Sequence, residues 1–326
     1  MKIVVTGGAG FIGSNFIRYI LSVYPDYRVI NIDALTYAGN LLSLEDVSQN
    51  PNYTFVHGDI ANFELVREIT AGAGAVINFA AETHVDRSIE DPFIFVRTNV
   101  LGMQMLLEAV KNNGVDLFIQ ISTDEVYGSL GDSGVELTEM FNEESMLKPN
   151  SPYAASKAAA DHIVRAYSVT YKLPTIITRC TNNYGPYQYP EKLIPLFIMN
   201  ALMDKTLPLY GDGMNIREWI HVEDHCRAID AILHHGRIGE IYNIGSGEEM
   251  RNINIAELIL DTLGKPKSLI NYVTDRPGHD RRYALDSTKI KEEVGWKPIH
   301  TFKEGIRQTI KWYIENKEWY ERILAK

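Results

Sequence analysis

Residues 1–21 read MKIVVTGGAGFIGSNFIRYIL, and this stretch decides the fold. The apolar residues 3–5 predict a buried strand, Gly7, Gly10 and Gly13 predict a tight turn, and the amphipathic stretch after them predicts a helix. Glycines at this spacing let backbone N–H groups approach a pyrophosphate, and the N-terminus of the helix faces the anion. The segment therefore predicts a dinucleotide-binding unit.

A second apolar run, residues 29–32, ends at Asp33, about twenty residues after Gly13. A carboxylate at this place accepts hydrogen bonds from a ribose 2′-hydroxyl and repels a 2′-phosphate. The pattern therefore favours NAD over NADP as the cofactor. An incidental glycine turn with a surface aspartate is the weaker interpretation, because strand, turn, helix and acid occur in the expected order.

Short apolar runs alternate with longer helical periods through the first half of the chain. The predicted strands are residues 53–56, 75–79, 117–121 and 175–177, and the predicted helices centre on residues 62–70, 93–111 and 153–171. This alternation predicts an α/β fold with a doubly wound, mostly parallel sheet of the Rossmann type. Ligands bind such sheets at the carboxyl ends of the strands, which is where Asp59, Ala80, Ala81 and Ser122 fall.

The chain has 326 residues, a net charge of −10 and 45% hydrophobic content. This length predicts a large cofactor domain over residues 1–180 and a smaller C-terminal substrate-binding lobe over residues 181–326, with a soft boundary because later segments can return to the sheet. The acidic charge argues against a nucleic-acid partner. We also expect no membrane contact, since the sequence shows no secretory h-region and no long apolar span. The two cysteines, Cys180 and Cys226, fit a reduced, cytoplasmic setting.

Tyr153 and Lys157 lie four residues apart at the start of a predicted helix that Ser151 is expected to cap, with a proline as its first residue. On one helix face the ammonium favours the phenolate, whereas burial raises the pKa of the tyrosine. The cation, helped by the positive charge of an oxidised nicotinamide, must therefore dominate if the tyrosine is a base. The same spacing occurs at Tyr313 and Lys317, where we expect only a surface pair. The pair alone is therefore ambiguous between a catalytic tyrosine and a solvated helix face.

Thr123, Asp124 and Glu125 follow another predicted strand, at the sheet edge where the cofactor is expected. Two neighbouring carboxyl groups resist simultaneous ionisation, so one can act as an acid while the other acts as a base. The alternative is a polar loop of the kind common on surfaces. His221 and His225 have a helical metal-ligand spacing, but no cysteine cluster accompanies them, and we predict a structural role and no metal.

The chain resembles the extended short-chain dehydrogenases/reductases, and within them the nucleotide-sugar 4,6-dehydratases that act on dTDP-glucose. The segments that carry the resemblance run nearly end to end; they are VVTGGAGFIGSN, NIDALTYAGN, AAETHVDRSI, ISTDEVYG, SPYAASKAAAD, RCTNNYGPYQYPEKLIP, REWIHVEDHCRAI, YNIGSG and DRPGHDRRYALD. The discriminating motif is TDE. One departure is Thr83, where serine is commoner, but the hydroxyl is kept. The loop over residues 128–150 is compact, and its shape is left open.

The resemblance implies catalysis by Thr123, Asp124, Glu125, Tyr153 and Lys157. Around NAD it implies Gly7, Gly10, Phe11, Ile12, Gly13, Asp33, Leu35, Thr36, Asp59, Ile60, Ala80, Ala81, Thr98, Tyr153, Lys157 and Asn183. Around the nucleotide sugar it implies Thr83, Thr123, Asn182, Lys192, Leu193, Pro208, Tyr210, Arg217, Asn252, Arg276 and His279. It also implies a homodimer, with a four-helix interface built from the helix over residues 93–110 and the helix of Tyr153, and a role in deoxysugar formation such as dTDP-rhamnose biosynthesis.

In the implied reaction Tyr153 removes the proton of the sugar 4-hydroxyl, with Thr123 hydrogen-bonded to that oxygen. Glu125 then removes the C5 proton, and a protonated Asp124 gives its proton to the departing 6-hydroxyl. Two alternatives stay open. A 4-epimerase or decarboxylase of a UDP-sugar would use Tyr153 and Lys157 without an acid at position 124, and a non-catalytic NAD-binding regulator would not need the pair at all.

Overall fold

The computed structural model describes residues 1–131 and 139–325, so residues 132–138 of the compact loop lie outside the described residues. The strands of the described chain are β1 (Lys2–Thr6), β2 (Arg28–Asp33), β3 (Tyr53–His57), β4 (Ala75–Asn78), β5 (Leu117–Thr123), β6 (Thr175–Cys180), β7 (Asn182–Tyr184), β8 (Leu207–Tyr210), β9 (Ile216–His221), β10 (Ile241–Ile244), β11 (Glu249–Arg251) and β12 (Ile270–Val273). The α-helices are α1 (Phe11–Val23), α2 (Phe63–Thr70), α3 (Val85–Glu90), α4 (Pro92–Phe95), α5 (Met103–Asn113), α6 (Pro152–Tyr171), α7 (Leu193–Leu202), α8 (Val222–His235), α9 (Asn252–Leu263), α10 (Thr288–Glu293), α11 (Phe302–Glu315) and α12 (Lys317–Leu324).

Seven strands form one parallel sheet in the order β10-β6-β5-β4-β1-β2-β3. Helices cover both faces of the sheet, so β1 is apolar at three consecutive positions, Ile3, Val4 and Val5. Ile3 and Val5 point to the face on which α1 and α8 pack, and Val4 points to the opposite face, packed by α5 and α6. The predicted doubly wound α/β fold is therefore confirmed.

The C-terminal half contributes to the main sheet as well as forming a lobe of its own. Strand β10 pairs in parallel with β6 at the edge of the main sheet, and α8 packs against α1. Two smaller sheets, β11-β9-β7 and β12-β8, pack with α7, α9 and α11 around a separate apolar core. The return of β10 agrees with a soft boundary, and the division at residue 180 itself stays a prediction.

The helix over Pro92–Asn113 consists of α4, a π-helical segment Val96–Gly102 and α5. By length and composition it matches a membrane-spanning helix, but a core helix of a soluble protein meets the same test, and 44% of the window is buried inside the chain. One side packs on the sheet through Leu106, Leu107 and Val110. The opposite side is exposed, most of all at Phe93, which is 83% exposed.

The expectation of a surface pair at Tyr313 and Lys317 is wrong. The first helix of this region, α11, ends at Glu315, and Lys317 begins α12, so the two side chains do not share one helix face. Tyr313 is fully buried, and its hydroxyl donates to the Gln188 carbonyl oxygen at 2.5 Å. The i,i+4 spacing therefore carries no meaning here, because a turn interrupts the helix between the two residues.

A buried ion pair joins β6 to α6. Arg179 Nε donates to Asp161 Oδ2 at 3.0 Å, and both side chains are almost inaccessible to water. Replacing Asp161→Ala leaves the guanidinium buried without its counter-ion, so we expect a loss of about 3–5 kcal/mol in the free energy of unfolding, measured by urea denaturation. The exposed pair Arg67–Glu64 is the control, since Glu64→Ala should cost less than about 1 kcal/mol. Equal losses in the two variants would contradict the prediction.

Candidate active site

A cleft at the carboxyl ends of the main-sheet strands encloses about 1670 Å³, part of it open to solvent. It brings together the five predicted catalytic residues, Thr123, Asp124, Glu125, Tyr153 and Lys157. The predicted cofactor residues that line it are Gly7, Gly10, Phe11, Ile12, Gly13, Asp33, Thr36, Asp59, Ile60, Ala80, Ala81, Thr98 and Asn183. Leu35 is the exception, because it borders an adjoining depression instead.

The glycine turn has the close approaches that a dinucleotide site requires. A Cβ at Gly7, whose φ is +67°, would lie 2.6 Å from the Ala80 backbone nitrogen, and a Cβ at Gly13 would lie 2.5 Å from the Gly7 carbonyl oxygen. Helix α1 begins after Gly10 without a side-chain cap. Its first N–H groups therefore face the cleft with no side-chain acceptor, which suits a bound pyrophosphate.

Asp33 is buried at the end of β2 and is held by two backbone donors. Ala9 N–H donates to Oδ2 at 2.9 Å, and Leu35 N–H donates to Oδ1 at 2.7 Å. Burial raises the pKa of Asp33, and these two hydrogen bonds oppose that rise. Each carboxylate oxygen keeps a further lone pair, so the residue fits the role of accepting from ribose hydroxyls.

Helix α6 presents the tyrosine and the lysine to the cleft. Ser151 Oγ accepts from the Ala154 N–H at 3.1 Å, and Pro152 is the first helical residue, so the predicted cap and start are confirmed. Tyr153 and Lys157 are both buried. The ammonium of Lys157 donates to the Ile121 carbonyl oxygen at 2.6 Å, which fixes it beneath the cleft floor at the end of β5.

Burial governs the protonation of this pair. It raises the pKa of Tyr153 well above its usual value, the charge of Glu125 raises it further, and the Thr123 hydroxyl opposes the rise. Burial also lowers the pKa of Lys157, against the opposing effect of Asp161. In the protein alone, therefore, desolvation dominates the pKa of Tyr153, and the positive charge of an oxidised nicotinamide is needed for Tyr153 to act as a base, as the sequence predicts.

The three residues after β5 form the start of a 3₁₀ helix over Asp124–Tyr127. Thr123 is its cap: its hydroxyl accepts from the Glu125 N–H at 3.3 Å and donates to Asp124 Oδ1 at 3.1 Å. Asp124 is 2% exposed, and its Oδ2 has no hydrogen-bond partner within the described chain. A neutral carboxyl group with its proton on Oδ2 suits that position, because an ionised one would be buried unpaired.

The two carboxyl groups differ in their surroundings. Burial, and then the charge of Glu125, raise the pKa of Asp124 well above its usual value. Burial also raises the pKa of Glu125, but Arg276, Arg217 and Lys192 all oppose that rise. These directions favour Asp124 as the acid and Glu125 as the base, and burial contributes more to the raised pKa of Asp124 than the repulsion from Glu125 does.

The predicted sugar-nucleotide residues fall into two sets. Thr83, Thr123, Asn182 and Lys192 line the cleft, whereas Leu193, Pro208, Tyr210, Arg217, Asn252, Arg276 and His279 lie outside that lining, in the C-terminal lobe. The second set is connected to the cleft in part: Arg217 and Arg276 act on the charge of Glu125, as described above. No described contact ties Leu193 or Pro208 to the catalytic residues.

Asp86 contacts two of these C-terminal residues, Tyr210 and Arg276, beside the cleft. The Tyr210 hydroxyl donates to Asp86 Oδ2 at 3.4 Å, and Arg276 Nη1 lies 3.6 Å from Asp86 Oδ1. His279 Nδ1 donates to Asp275 Oδ1 at 2.6 Å nearby. These side chains therefore come together beside the cleft, although they are distant from α3 in the sequence.

Several cleft residues were missed by the sequence argument. Arg97 donates to Asp59 Oδ2 at 2.7 Å, and Tyr37 lies within hydrogen-bond distance of Thr83, at 3.3 Å between the two oxygens. Gln188 lines the cleft and donates to the Asn183 carbonyl oxygen at 2.9 Å. Arg97 immediately precedes Thr98 in the same helix, and this position is a usable signal. Tyr37 and Gln188 lie within NIDALTYAGN and RCTNNYGPYQYPEKLIP, two of the segments that carry the resemblance, and this is the signal that could have found them.

His221 and His225 have separate structural contacts. His225 is fully buried and donates from Nδ1 to Asn183 Oδ1 at 2.8 Å, so it orients a cleft residue. His221, Glu223 and His300 bring potential ligand atoms within 4.8 Å of one another. However, His221 Nδ1 accepts the Glu223 N–H at 3.3 Å, which leaves the proton of a neutral ring on Nε2. The ring is tilted at 35° to that of His300, with 4.2 Å between the ring centroids. This arrangement supports a packing role.

Comparisons with known proteins agree with this geometry. Residues 4–309 match the family model described as GDP-mannose 4,6 dehydratase. A dTDP-glucose 4,6-dehydratase of Xanthomonas campestris pv. campestris (strain B100) is 50% identical over 341 residues, which cover 98% of this chain and 95% of the relative. DesIV, a dTDP-glucose 4,6-dehydratase from Streptomyces venezuelae solved with NAD and TYD bound, is 51% identical with a TM-score of 0.95 over 99% of this chain and 100% of its own. The Bacillus anthracis enzyme in complex with NAD is 53% identical with a TM-score of 0.92, covering 99% of both chains.

Proposed function

The chain belongs to the GDP-mannose 4,6-dehydratase family, and we propose that it converts dTDP-glucose to dTDP-4-keto-6-deoxyglucose and water as an NAD-dependent hydro-lyase. The observation that carries the proposal is that a buried Asp124, whose Oδ2 has no hydrogen-bond partner within the described chain, lies beside Glu125 in the cleft of Tyr153 and Lys157. Burial raises the pKa of Asp124, whereas Arg276, Arg217 and Lys192 oppose the rise in the pKa of Glu125. An oxidation followed by an elimination needs both pairs.

The residues divide the work by position. Tyr153 removes the proton of the sugar 4-hydroxyl. The Thr123 hydroxyl, which donates to Asp124 Oδ1 in the protein alone, turns to donate to the same sugar oxygen when the sugar is bound. Once C4 is a ketone, the C5 proton is acidic, and Glu125 removes it while Asp124 protonates the leaving 6-hydroxyl. The raised pKa of Asp124 keeps its proton available near neutral pH. Reprotonation of C5 by Glu125 then completes the product.

The glycine turn, Asp33 and the other cofactor residues that line the cleft would hold NAD. When bound, NAD supplies the reversible store of the C4 hydride, which returns at C6, and its oxidised ring supplies the positive charge that favours the Tyr153 phenolate. Lys157, whose ammonium donates to the Ile121 carbonyl oxygen, supplies a second positive charge in the same cleft. We assign NAD rather than NADP because Asp33 lines the cleft at the end of β2, where a carboxylate accepts from ribose hydroxyls and repels a 2′-phosphate.

The alternatives leave part of this site without a use. A UDP-sugar 4-epimerase or decarboxylase does not require a buried, protonated acid at Asp124. A non-catalytic NAD-binding regulator requires neither that acid nor the Tyr153–Lys157 pair. The sequence identity of 50–51% to dTDP-glucose 4,6-dehydratases, over 98–99% of the chain, also supports the dehydratase.

Hydride migration tests the proposed function directly. The purified protein, incubated with dTDP-glucose deuterated at C4, should release a product lighter by about 18 mass units, with deuterium at C6 and no net NADH, because the same hydride leaves C4 and arrives at C6. UDP-, GDP- and CDP-glucose serve as comparison substrates in the same mass measurement. An unchanged mass with inverted C4 would establish an epimerase, and no change at all would favour the regulator.

The exposed apolar side of the helix over Pro92–Asn113 and of α6 supports the homodimer. Phe93, Val96 and Leu101 are exposed on the first helix, and Val169 and Tyr171 on the second. Two helices from each of two copies would bury these side chains as a four-helix interface. We expect light scattering to give about twice the chain mass of 36.9 kDa, and Phe93→Asp to shift it toward one chain. A single-chain mass for the unaltered protein would refute the interface.

Three further proposals concern the cellular setting, the pathway and the division of the chain into lobes. The free and buried state of Cys180 and Cys226 supports a reduced, cytoplasmic setting. A 4-keto-6-deoxy sugar nucleotide is the starting compound for deoxysugars, and dTDP-rhamnose biosynthesis is the route we propose for it. The two-lobe division at residue 180 assigns cofactor and catalytic residues to residues 1–180 and most nucleotide contacts to residues 181–326.

A further inference from the structure

Asp280 connects the two lobes at the N-terminus of α6, the helix that carries Tyr153 and Lys157. It lies in the C-terminal lobe and is 7% exposed. Its Oδ1 accepts from Asn150 Nδ2 at 2.6 Å, and its Oδ2 accepts from the Tyr283 hydroxyl through a very short contact. Asn150 immediately precedes Ser151, the cap of α6, so one carboxylate oxygen is attached to the start of the helix that presents Tyr153.

The backbone of Asp280 makes a second connection, to the strand that carries Arg217. Its carbonyl oxygen accepts from Arg217 Nη2 at 2.8 Å and from Asn215 Nδ2 at 3.1 Å. The Arg217 guanidinium also lies over the Tyr283 ring, 4.4 Å from its centroid. Asp280 therefore contacts both the start of α6 and a cation that acts on Glu125.

The chain around Asp280 is shaped for this contact. Gly278 has a φ of +65°, and a Cβ there would lie 3.1 Å from the Asn150 carbonyl oxygen, so the segment runs close against the loop before α6. Arg276 and His279 belong to the same short segment. A carboxylate that accepts two hydrogen bonds in a buried place is a strong local constraint, because charge-assisted hydrogen bonds are stronger than neutral ones.

We propose that Asp280 is a positioning residue. Its hydrogen bonds to Asn150 and Tyr283 hold the start of α6 against β9, the strand of Arg217. This contact places Tyr153 correctly, relative to Glu125, for reaction with the sugar. The expected effect on turnover rests on the proposed function. The geometric part is independent of it, because the constraint on α6 exists without substrate. A misplacement of about 1 Å is enough to cost up to about 100-fold in rate.

Kinetics of Asp280→Ala, Asp280→Asn and Asn150→Ala test the proposal. We expect Asp280→Ala to lower kcat for dTDP-glucose by about 10-fold to 100-fold with little change in KM, because the sugar is still held but is misaligned. Asp280→Asn keeps an acceptor and a donor and should stay within about threefold of the unaltered protein. Asn150 is exposed, so Asn150→Ala removes its contact without opening a cavity. The double variant Asn150→Ala/Asp280→Ala should be no slower than Asp280→Ala alone, since both act through one contact.

Asp230→Asn is the matched control. Asp230 is also buried and also accepts from tyrosine hydroxyls, those of Tyr19 at 2.9 Å and Tyr24 at 3.3 Å, but it lies on α8, remote from the cleft. Its variant should keep kcat and KM. If Asp280→Ala keeps its kcat, if only KM rises, or if Asp280→Asn is as slow as Asp280→Ala, the positioning role is wrong.

Hydrogen exchange provides a measurement that does not depend on turnover. Without substrate, the amides at the start of α6 should exchange faster in Asp280→Ala and Asn150→Ala than in the unaltered protein, while those of α1 stay the same. Unchanged exchange at α6 would overturn the proposal even if the variants are slow. If instead the unaltered protein fails to dehydrate dTDP-glucose while α6 exchange responds as expected, the proposed function fails and the constraint on α6 stands.

Discussion

Replacing Tyr153→Phe is expected to lower the turnover of dTDP-glucose by at least about 100-fold, the lower range for a positioned general acid or base. The ring still packs, so the fold is kept, but no oxygen remains to take the 4-hydroxyl proton. The oxidation at C4 uses this group directly, and the later reduction at C6 depends on the reduced cofactor that the oxidation makes, so both should slow. Steady-state formation of the 4-keto product is the measurement, and near-normal turnover would refute the role of Tyr153.

Tyr313→Phe is the control for this variant. It removes one hydroxyl from another buried tyrosine, one that donates to the Gln188 carbonyl oxygen rather than to a reacting atom. We expect a stability loss of about 1 kcal/mol, the net value of one hydrogen bond, with turnover kept. A comparable loss of turnover in both variants would mean that Tyr153→Phe acts through the fold and not through the chemistry.

Asp124→Asn should separate the oxidation from the elimination. The amide keeps the shape of the side chain and still accepts from Thr123, but it has no acidic proton for the leaving 6-hydroxyl. C4 oxidation should continue while loss of water slows, so reduced cofactor should persist. In a single turnover with dTDP-glucose, absorbance at about 340 nm should rise and remain, with little dehydrated product.

Glu125→Gln is the companion variant that distinguishes the two carboxyl groups. In deuterated water Asp124→Asn should still exchange the C5 hydrogen of the oxidised sugar, because Glu125 remains as the base, whereas Glu125→Gln should not. Dehydration of dTDP-glucose at the normal rate by Asp124→Asn would exclude Asp124 as the acid. If no reduced cofactor forms at all, the two groups are needed for binding or oxidation, and the proposed division of roles is wrong.

Local rules predict the backbone geometry at the cofactor side of the cleft, whereas the assignment of its residues to NAD stays a prediction. The glycine turn, Asp33 and the capped start of α6 all follow from short segments, because each depends on backbone conformation that neighbouring residues determine. The positions of Thr123 and Asp124 were predictable for the same reason, since parallel strands place their carboxyl ends at one edge. Leu35 was assigned to NAD only by resemblance, and it borders the adjoining depression.

Features that depend on distant pairing were not predictable. The contact of Asp280 with Asn150 joins residues 130 positions apart, and neither residue belongs to a motif with a known spacing. The protonation of Asp124 was expected from repulsion by Glu125, but burial is the larger cause. The surface position predicted for Tyr313 is wrong because the spacing argument assumes an uninterrupted helix. Spacing also does not indicate which side chains are buried in the core.

The return of β10 to the main sheet has a consequence for synthesis of the chain on the ribosome. Until residues 241–244 have emerged, β6 is the outer strand of the sheet, with its N–H and C=O groups unpaired along one side. The side of α1 that α8 covers is also bare at that stage. A fragment ending at residue 180 therefore exposes an unpaired strand edge beside an apolar helix surface, and we expect it to aggregate. The solubility of this part of the chain then depends on the part that follows it.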